Sequence, residues 1–221
     1  RDKHVTGVQT CALPICLSFE PLQSDTPEPP RIVTGVTEFD RVCGGGVVPG
    51  SALLLSGDPG VGKSTLLLEV AARAALAGRR VAYISGEEAV EQIRSRARRM
   101  GFEKAPVELA SATALRDILG TLKRETFDIV IVDSIQTLWS DVHEAGPGSV
   151  TQVRACASEM VRLAKSGGPA VILVGHVTKD GQVAGARGVA PPAPGRRARR
   201  AGGARGRMAC PDPTGCVLRG R

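Results

Sequence analysis

Aromatic residues are scarce in this sequence, with one Trp, one Tyr and four Phe among 221 residues. Leu, Val, Ile and Ala must therefore build the core, and a hydrophobic content of 42% is enough for one. No apolar run approaches the ~18 residues of a membrane-spanning helix, and no segment reads as a secretion signal. We expect a cytoplasmic protein with no membrane partner.

The sequence also lacks any C-x-x-C pair among its six cysteines, so it predicts no zinc site. We expect free thiols in a cytosolic compartment. The cysteines stand at positions 11, 16, 43, 156, 210 and 216.

Lysine and glutamate are absent from residues 186–221, which hold nine Arg and one Asp for a formal charge of +8. The total is +7, which leaves −1 for residues 1–185, so the basic character belongs to the end of the chain. We interpret residues 186–221 as a frameshifted, disordered tail of Arg, Gly, Ala and Pro. The alternative is a basic arm that contacts nucleic-acid phosphates.

Residues 1–30 are polar and turn-rich and are interpreted as a non-native or disordered leader and linker. Residues 1–16 resemble translated sequencing-adapter sequence, and we exclude them from the fold. Residues 31–185 alternate strand-like and helix-like segments, which predicts an α/β domain with a mostly parallel sheet and helices on both faces. An Asp-Gly pair within residues 179–182 predicts a hairpin. The expected strands are 52–55, 81–85, 107–110, 127–133 and 170–174, and the expected helices are 65–72, 89–100, 112–125 and 149–165.

Residues 57–64, GDPGVGKS, fit the phosphate-binding pattern G-x-x-x-x-G-K-[ST] between a strand and a helix. Glycines let the backbone wrap around phosphate oxygens, Lys63 can reach the β- and γ-phosphates of ATP, and the Ser64 hydroxyl can ligate Mg²⁺. The alternative is a glycine turn with one exposed lysine. The predicted nucleotide-binding residues are Gly57, Asp58, Pro59, Gly60, Val61, Gly62, Lys63, Ser64 and Thr65.

Two further acidic positions follow predicted strands. Asp133 ends an apolar strand, where a carboxylate beside a P-loop can hold Mg²⁺ through water, although a surface Asp would look the same. Glu87 follows the second strand and is our choice, with Lys63, as a catalytic residue, because a carboxylate there can orient and deprotonate the attacking water. We expect Glu88 to serve the start of the next helix, and both glutamates serving only that start is the alternative.

Polar residues that follow the last two predicted strands are further candidates. His176 is our candidate for sensing the γ-phosphate, against a purely structural histidine. Gln152, Arg154 and Lys179 are candidate contacts to a DNA backbone near a loop at residues 140–148. Trp139 is suited equally to packing and to base stacking.

Four segments besides the P-loop carry a resemblance to a known family. They are RIVTGVTEFDR at 31–41, GGGVVPG at 44–50, YISGEE at 83–88 and GHVTKDGQ at 175–182. Together they resemble the ATPase core of bacterial RadA, also called Sms, a RecA-like motor related to DnaB. KaiC-like ATPases, which act on protein partners, share only the opening Thr-Gly…Asp…Gly-Gly-Gly pattern and the P-loop.

The resemblance implies a RecA-like P-loop fold, use of ATP and Mg²⁺, and ATP-driven work on single-stranded DNA and recombination intermediates, usually by a homo-hexamer. It also supports Glu87 as the catalytic glutamate and Asp133 as the Mg²⁺ contact. The family has an N-terminal four-cysteine zinc finger, a Lys-Asn-Arg-Phe-Gly motif and a Lon-protease-like domain, none of which this sequence contains. Besides a RadA-type motor and a KaiC-like ATPase, a third interpretation is therefore a fragment that binds ATP without hydrolysing it.

Overall fold

The structure, a computed structural model, describes residues 30–176 and the backbone of residues 217–220. Its centre is a parallel sheet in the order β3-β2-β4-β5-β1-β6. The strands are β1 (Ala52–Gly57), β2 (Val81–Ser85), β3 (Glu108–Ser111), β4 (Ile129–Asp133), β5 (Ala170–His176) and β6 (Val217–Gly220).

Helices cover both faces of this sheet, so the predicted α/β architecture is confirmed. One hydrophobic cluster contains residues of α1, α2 and α3, and the cluster on the opposite face contains residues of α4 and α5. The helices are α1 (Thr37–Val42), α2 (Lys63–Leu76), α3 (Val90–Arg99), α4 (Leu115–Leu122) and α5 (Val150–Lys165), with a 3-10 helix at Ile135–Thr137. In the part of the chain described, no helix has the length and apolar character needed to cross a bilayer.

Side chains of the central strands alternate between these two clusters. Tyr83 and Ile131 face α2 and α3, whereas Ile84 and Val132 face α4 and α5. All residues of β2 and β4 are buried, as expected for parallel strands covered on both faces. The face that each residue occupies decides which strand-end side chains meet the P-loop helix α2.

The two ends of the chain are only partly covered by the structure. The predicted hairpin at residues 179–182 lies outside the described residues, as does the leader at residues 1–29. Four residues near the other end, Val217–Gly220, form β6 and pair in parallel with β1. The division into leader, core and tail therefore stays a prediction.

A short segment before β1 is held by one buried carboxylate. Asp40 of α1 accepts hydrogen bonds from the Thr34 amide and hydroxyl and from the Gly35 amide, at 2.8–3.0 Å. Ile32 pairs with Val47 in an antiparallel bridge. The Thr-Gly and Asp positions of the opening pattern thus have a structural role, which is to fold this segment against the start of β1.

The carboxyl ends of the central strands meet at one edge of the sheet. Gly57 of β1 lies beside His176 of β5, and Ser85 of β2 lies beside Asp133 of β4. Ligands of open parallel sheets bind outside this edge. The fold therefore brings the P-loop, Asp133 and His176, which are scattered along the sequence, to the same edge of the sheet.

Candidate nucleotide-binding site

The loop between β1 and α2 has the backbone expected of a phosphate-binding turn. Gly60 and Gly62 adopt φ of 82° and 91°, and α2 begins directly after Gly62. Nothing lies within 4 Å of a Cβ added at either glycine, so the left-handed backbone rather than lack of space requires glycine there. The first turn of α2 contains no acidic residue, so the positive end of the helix is free to attract an anion.

The side chain of Lys63 packs against the loop between β1 and α2. Its side-chain ammonium donates hydrogen bonds to the carbonyl oxygens of Gly57 and Asp58, both at 2.8 Å, and the residue is 8% exposed. This placement argues against the alternative of an exposed lysine. Ser64 is half-buried and Thr65 is exposed on the first turn of α2.

Asp133 lies at the carboxyl end of β4 and is 5% exposed. The Tyr83 hydroxyl donates a hydrogen bond of 2.6 Å to its Oδ2 atom. Burial, followed by the charge of Asp133, raises the pKa of Tyr83, so the hydroxyl keeps its proton and acts as the donor. The peptide bond from Asp133 to Ser134 is cis. The surface-Asp alternative does not fit this buried, hydrogen-bonded carboxylate.

Glu87 is the second carboxylate at this edge. Its Oε1 accepts a 2.5 Å hydrogen bond from the Ser134 hydroxyl and lies 3.2 Å from Nε2 of His176. Burial raises the pKa of Glu87, but the hydrogen bonds from Ser134 and His176, together with the charge of Lys63, outweigh it and hold the pKa below its usual value. Glu87 is therefore ionised at neutral pH.

The side chain of the neighbouring Glu88 points toward α3 instead. Glu88 forms an ion pair with Arg96 of α3. The Ser85 hydroxyl accepts hydrogen bonds from the amides of both glutamates and fixes the turn in which their side chains separate. Glu88 thus contributes to attaching α3, whereas Glu87 remains at the strand ends with Ser134 and His176.

Gly86 is a site position that the sequence reasoning did not single out. A Cβ at this glycine would lie 2.0 Å from Oγ1 and 2.7 Å from Cβ of Thr137. The Thr137 hydroxyl donates to the Ser134 carbonyl at 2.7 Å, so its side chain cannot simply rotate away. Gly86 therefore permits the close approach of the turn that holds Glu87 to the turn that holds Ser134. Its place in the segment 83–88, which carries part of the family resemblance, was the available signal.

Replacing Gly86 with Ala should lower stability by about 1–3 kcal/mol, because the added methyl overpacks the contact with Thr137. Each kcal/mol lowers the melting temperature by roughly 2–4 °C in a domain of this size, and thermal denaturation measures it. Gly120→Ala is the matched control. Gly120 lies in α4 with open space around it, so there the methyl should be neutral or stabilising. Equal melting temperatures in the two variants would contradict the steric account.

His176 ends β5, and its side chain is 31% exposed. Its carbonyl lies 3.5 Å from the side-chain nitrogen of Gln136 in the 3-10 helix. His176 therefore contacts both Glu87 and the segment that follows β4. The sensor role of His176 stays a prediction.

Gln152 does not occupy the position that its predicted DNA contact requires. It is 2% exposed, and its Nε2 lies within 3.0 Å of the carbonyl oxygens of Ser140, His143 and Ala145, while its Oε1 accepts from the Ser140 amide. Its side chain organises the loop before α5, and this placement does not support a direct DNA contact.

The other two candidate DNA contacts stay predictions. Arg154 is exposed on α5, and Lys179 lies outside the described residues. Trp139 is 38% exposed, and its backbone hydrogen bonds to Thr113 and Leu115 form an isolated parallel bridge outside the named strands.

Ser64 and Asp133 are the residues that could hold a magnesium ion. Among the residues that the structure describes, no three His, Cys, Asp or Glu side chains converge on a metal position. Mg²⁺ commonly uses one or two protein oxygen ligands and completes its shell with water and phosphate oxygens. The hydroxyl and carboxylate present here fit that mode, with nucleotide phosphates as the remaining ligands.

Comparison with protein families agrees with this geometry. Residues 33–182 match the AAA domain family. This chain belongs to the AAA domain family. The match covers the P-loop, both carboxylates and every strand from β1 to β5, so this AAA domain is a P-loop ATPase domain by family as well as by fold.

Similar proteins carry the name DNA repair protein RadA. The protein from Brucella abortus (strain 2308) is 55% identical over 171 residues, which are 75% of this chain and 37% of that protein. The protein from Bacillus subtilis (strain 168) is 46% identical over 163 residues, 74% of this chain and 36% of that protein. A Mycobacterium tuberculosis protein (strain H37Rv) is 52% identical over 156 residues, 70% of this chain and 32% of that protein.

These matches confirm the resemblance of this AAA domain to the RadA ATPase core. The chain spans about a third of the length of the curated relatives it matches. The activity, substrates and partners of the full-length relatives are therefore taken up below only as proposals.

Proposed function

We propose that this chain is the ATP-hydrolysing core of a RadA-type DNA repair motor, of the DNA-dependent ATPase and helicase class. The observation that carries the proposal is that Asp133, at the end of β4, and Glu87, which Ser134 binds, lie at the carboxyl edge of the sheet where Lys63 binds the P-loop. Relatives of 46–55% identity are named as DNA repair proteins, which supports the DNA part of the proposal.

The proposed reaction is in-line attack of water on the γ-phosphate of ATP. Amides of the loop and the start of α2 bind the phosphates, and Lys63 exchanges its two carbonyl partners for phosphate oxygens. Ser64, through its hydroxyl, and Asp133, through an intervening water, would hold Mg²⁺ beside the phosphates. The metal ion, when bound, neutralises charge that develops on the phosphates.

Glu87 positions the attacking water and accepts its proton. Its lowered pKa keeps it ionised at neutral pH, and it lies near Lys63, the P-loop residue that binds the transferred phosphate. Glu88 is a poorer candidate because its ion pair with Arg96 holds its carboxylate against α3. This difference supports the choice of Glu87 between two adjacent residues of the same type.

His176 is the proposed sensor of the γ-phosphate. It shares Oε1 of Glu87 with Ser134 and ends the strand beside the P-loop strand, so a change at Glu87 alters a contact of His176. Movement of this side chain would then reach the segment that follows β5.

DNA is the proposed partner, as single strands and recombination intermediates on which ATP hydrolysis drives branch migration. Residues 1–185 have a formal charge of −1, so DNA binding must rest on particular residues rather than on the overall charge. We propose Arg154 and Lys179 as contacts and a cytoplasmic homo-hexamer as the working assembly.

The proposal is tested by nucleotide binding and by phosphate release. We expect isothermal titration calorimetry to detect ATP binding with Mg²⁺, and we expect single-stranded DNA to raise the rate of phosphate release. ATP binding without release would favour the alternative of a fragment that binds ATP without turnover. Release that DNA does not change would favour an ATPase acting on protein partners. Absence of nucleotide binding would contradict the proposed function.

A further inference from the structure

Tyr83 is a polar residue in an apolar setting. It is the single tyrosine of the chain, it is 1% exposed, and its ring lies in the hydrophobic cluster between the sheet and helices α2 and α3. A phenylalanine ring would fill nearly the same space without a hydroxyl that must find a partner. The hydroxyl therefore needs an explanation beyond packing.

The register between β2 and β4 places the Tyr83 ring next to Asp133. Tyr83 pairs with Ile131 of β4, and Asp133 follows two residues later in the same strand. Residues two positions apart in a strand point to the same face of the sheet, so Tyr83 and Asp133 share a face. The ring can therefore extend along β4 and bring its hydroxyl to Oδ2 of Asp133, at 2.6 Å. A carboxylate only accepts hydrogen bonds, so the direction of this bond is from Tyr83 to Asp133.

Three other polar residues surround the hydrogen bond between Tyr83 and Asp133. Arg96 and Glu88 act electrostatically on the Tyr83 hydroxyl, with opposite signs, and form an ion pair with each other. Ser85 lies beside Asp133 in the sheet and is occupied by the turn that follows β2. Among the side-chain hydrogen bonds of the described residues, the one from the Tyr83 hydroxyl is the contact to Oδ2.

We propose that Tyr83 is a positioning residue for the magnesium ion: its hydroxyl fixes Oδ2 of Asp133 and leaves Oδ1 for a water molecule of the ion. This inference rests on the proposed function, because it concerns the metal that accompanies ATP. Without the hydroxyl, the carboxylate would turn between rotamers and would have to be ordered each time the metal binds. Hydrogen-bond partners of direct metal ligands change metal affinity by about 10–100-fold, and we expect the low end of that range for a partner of a carboxylate that acts through water.

The direct test replaces Tyr83 with Phe in the 221-residue chain. Mn²⁺ serves as the probe, since electron paramagnetic resonance counts the free ion during titration in the presence of a non-hydrolysable ATP analogue. We expect the Tyr83→Phe variant to need roughly tenfold more Mn²⁺ for half-saturation. Affinity for the analogue without metal should stay as in the wild type.

Ile84→Val is the matched control for a general loss of packing. Ile84 is buried on the same strand but faces α4 and α5, away from Asp133. We expect a lowered melting temperature and unchanged Mn²⁺ half-saturation. An unchanged Mn²⁺ half-saturation in a folded Tyr83→Phe protein would overturn the inference.

A second measurement tests the inference without the Tyr83→Phe variant, in case that variant does not fold. Because Tyr83 is the single tyrosine, biosynthetic 3-fluorotyrosine labels this site alone in an otherwise unchanged protein. We expect its fluorine resonance to shift when Mg²⁺ is added to the analogue-bound protein, and no shift would overturn the inference. If the wild-type protein binds neither the analogue nor Mn²⁺, the proposed function fails and this inference with it. If the wild type binds both and only the two Tyr83 results are negative, this inference alone fails.

Discussion

Replacement of Lys63 with Ala should lower the affinity for ATP by roughly 100-fold, because hydrogen bonds to a charged group contribute about 1.5–3 kcal/mol. Lys63 is buried against the P-loop, where its two carbonyl partners hold the ammonium beside the phosphate site. Alanine removes the charge and retains the glycine-rich turn. Isothermal titration calorimetry with Mg²⁺ present measures the change.

Lys165→Ala provides the control for loss of one positive charge. Lys165 is exposed at the end of α5, which precedes β5 and therefore lies at the opposite edge of the sheet. Its replacement should leave ATP affinity as it is. Circular dichroism should show that both variants are folded. Equal ATP affinity in folded Lys63→Ala and wild-type proteins would remove the basis of the proposed site.

Replacement of Glu87 with Gln should reduce phosphate release by roughly 10²–10⁴-fold, since an amide cannot accept the proton of the attacking water. Gln has nearly the same size and can still accept a hydrogen bond from Ser134. ATP binding should therefore persist, and a parallel calorimetric titration checks this separation of binding from turnover.

Glu88→Gln is the matched control for Glu87→Gln. It weakens the ion pair with Arg96 and should affect the melting temperature more than the rate of phosphate release. If Glu88→Gln abolished release and Glu87→Gln did not, the two roles would have to be exchanged.

The pKa of Glu87 also sets the expected pH dependence. The pKa lies below its usual value of 4.5, so Glu87 stays ionised throughout the neutral range and its contribution to phosphate release should not change there. Its contribution to stability is present above the unfolded-state pKa and is lost as pH falls through the lower folded-state value. This contribution is small because the side chain is 43% exposed.

Strands were easier to predict from the sequence than helix ends. The second strand was expected at residues 81–85 and is observed at Val81–Ser85, because an apolar run between turn residues is a local signal. Helix α4 was expected at 112–125 and is observed at Leu115–Leu122. Its start is displaced because Thr113 pairs with Trp139, a partner that lies far along the chain.

Polar residues were harder to place than apolar ones. Gln152 looked like a surface residue near the start of a helix, yet the fold buries it against loop carbonyls. Tyr83 and Ser134 gave no sign in the sequence that they bind the two carboxylates of the site. A polar side chain is buried where folding supplies its partners, and those partners are not its neighbours in sequence.

The P-loop and its helix were determined by the sequence alone, because glycine backbone freedom and the start of α2 depend on consecutive residues. The meeting of Glu87 with Ser134 and His176, which are 47 and 89 positions away, was decided by the tertiary structure. Parallel strand register and the packing of helices on both faces fix such distances. Adjacent residues cannot, because a local pattern contains no information on which strands become neighbours.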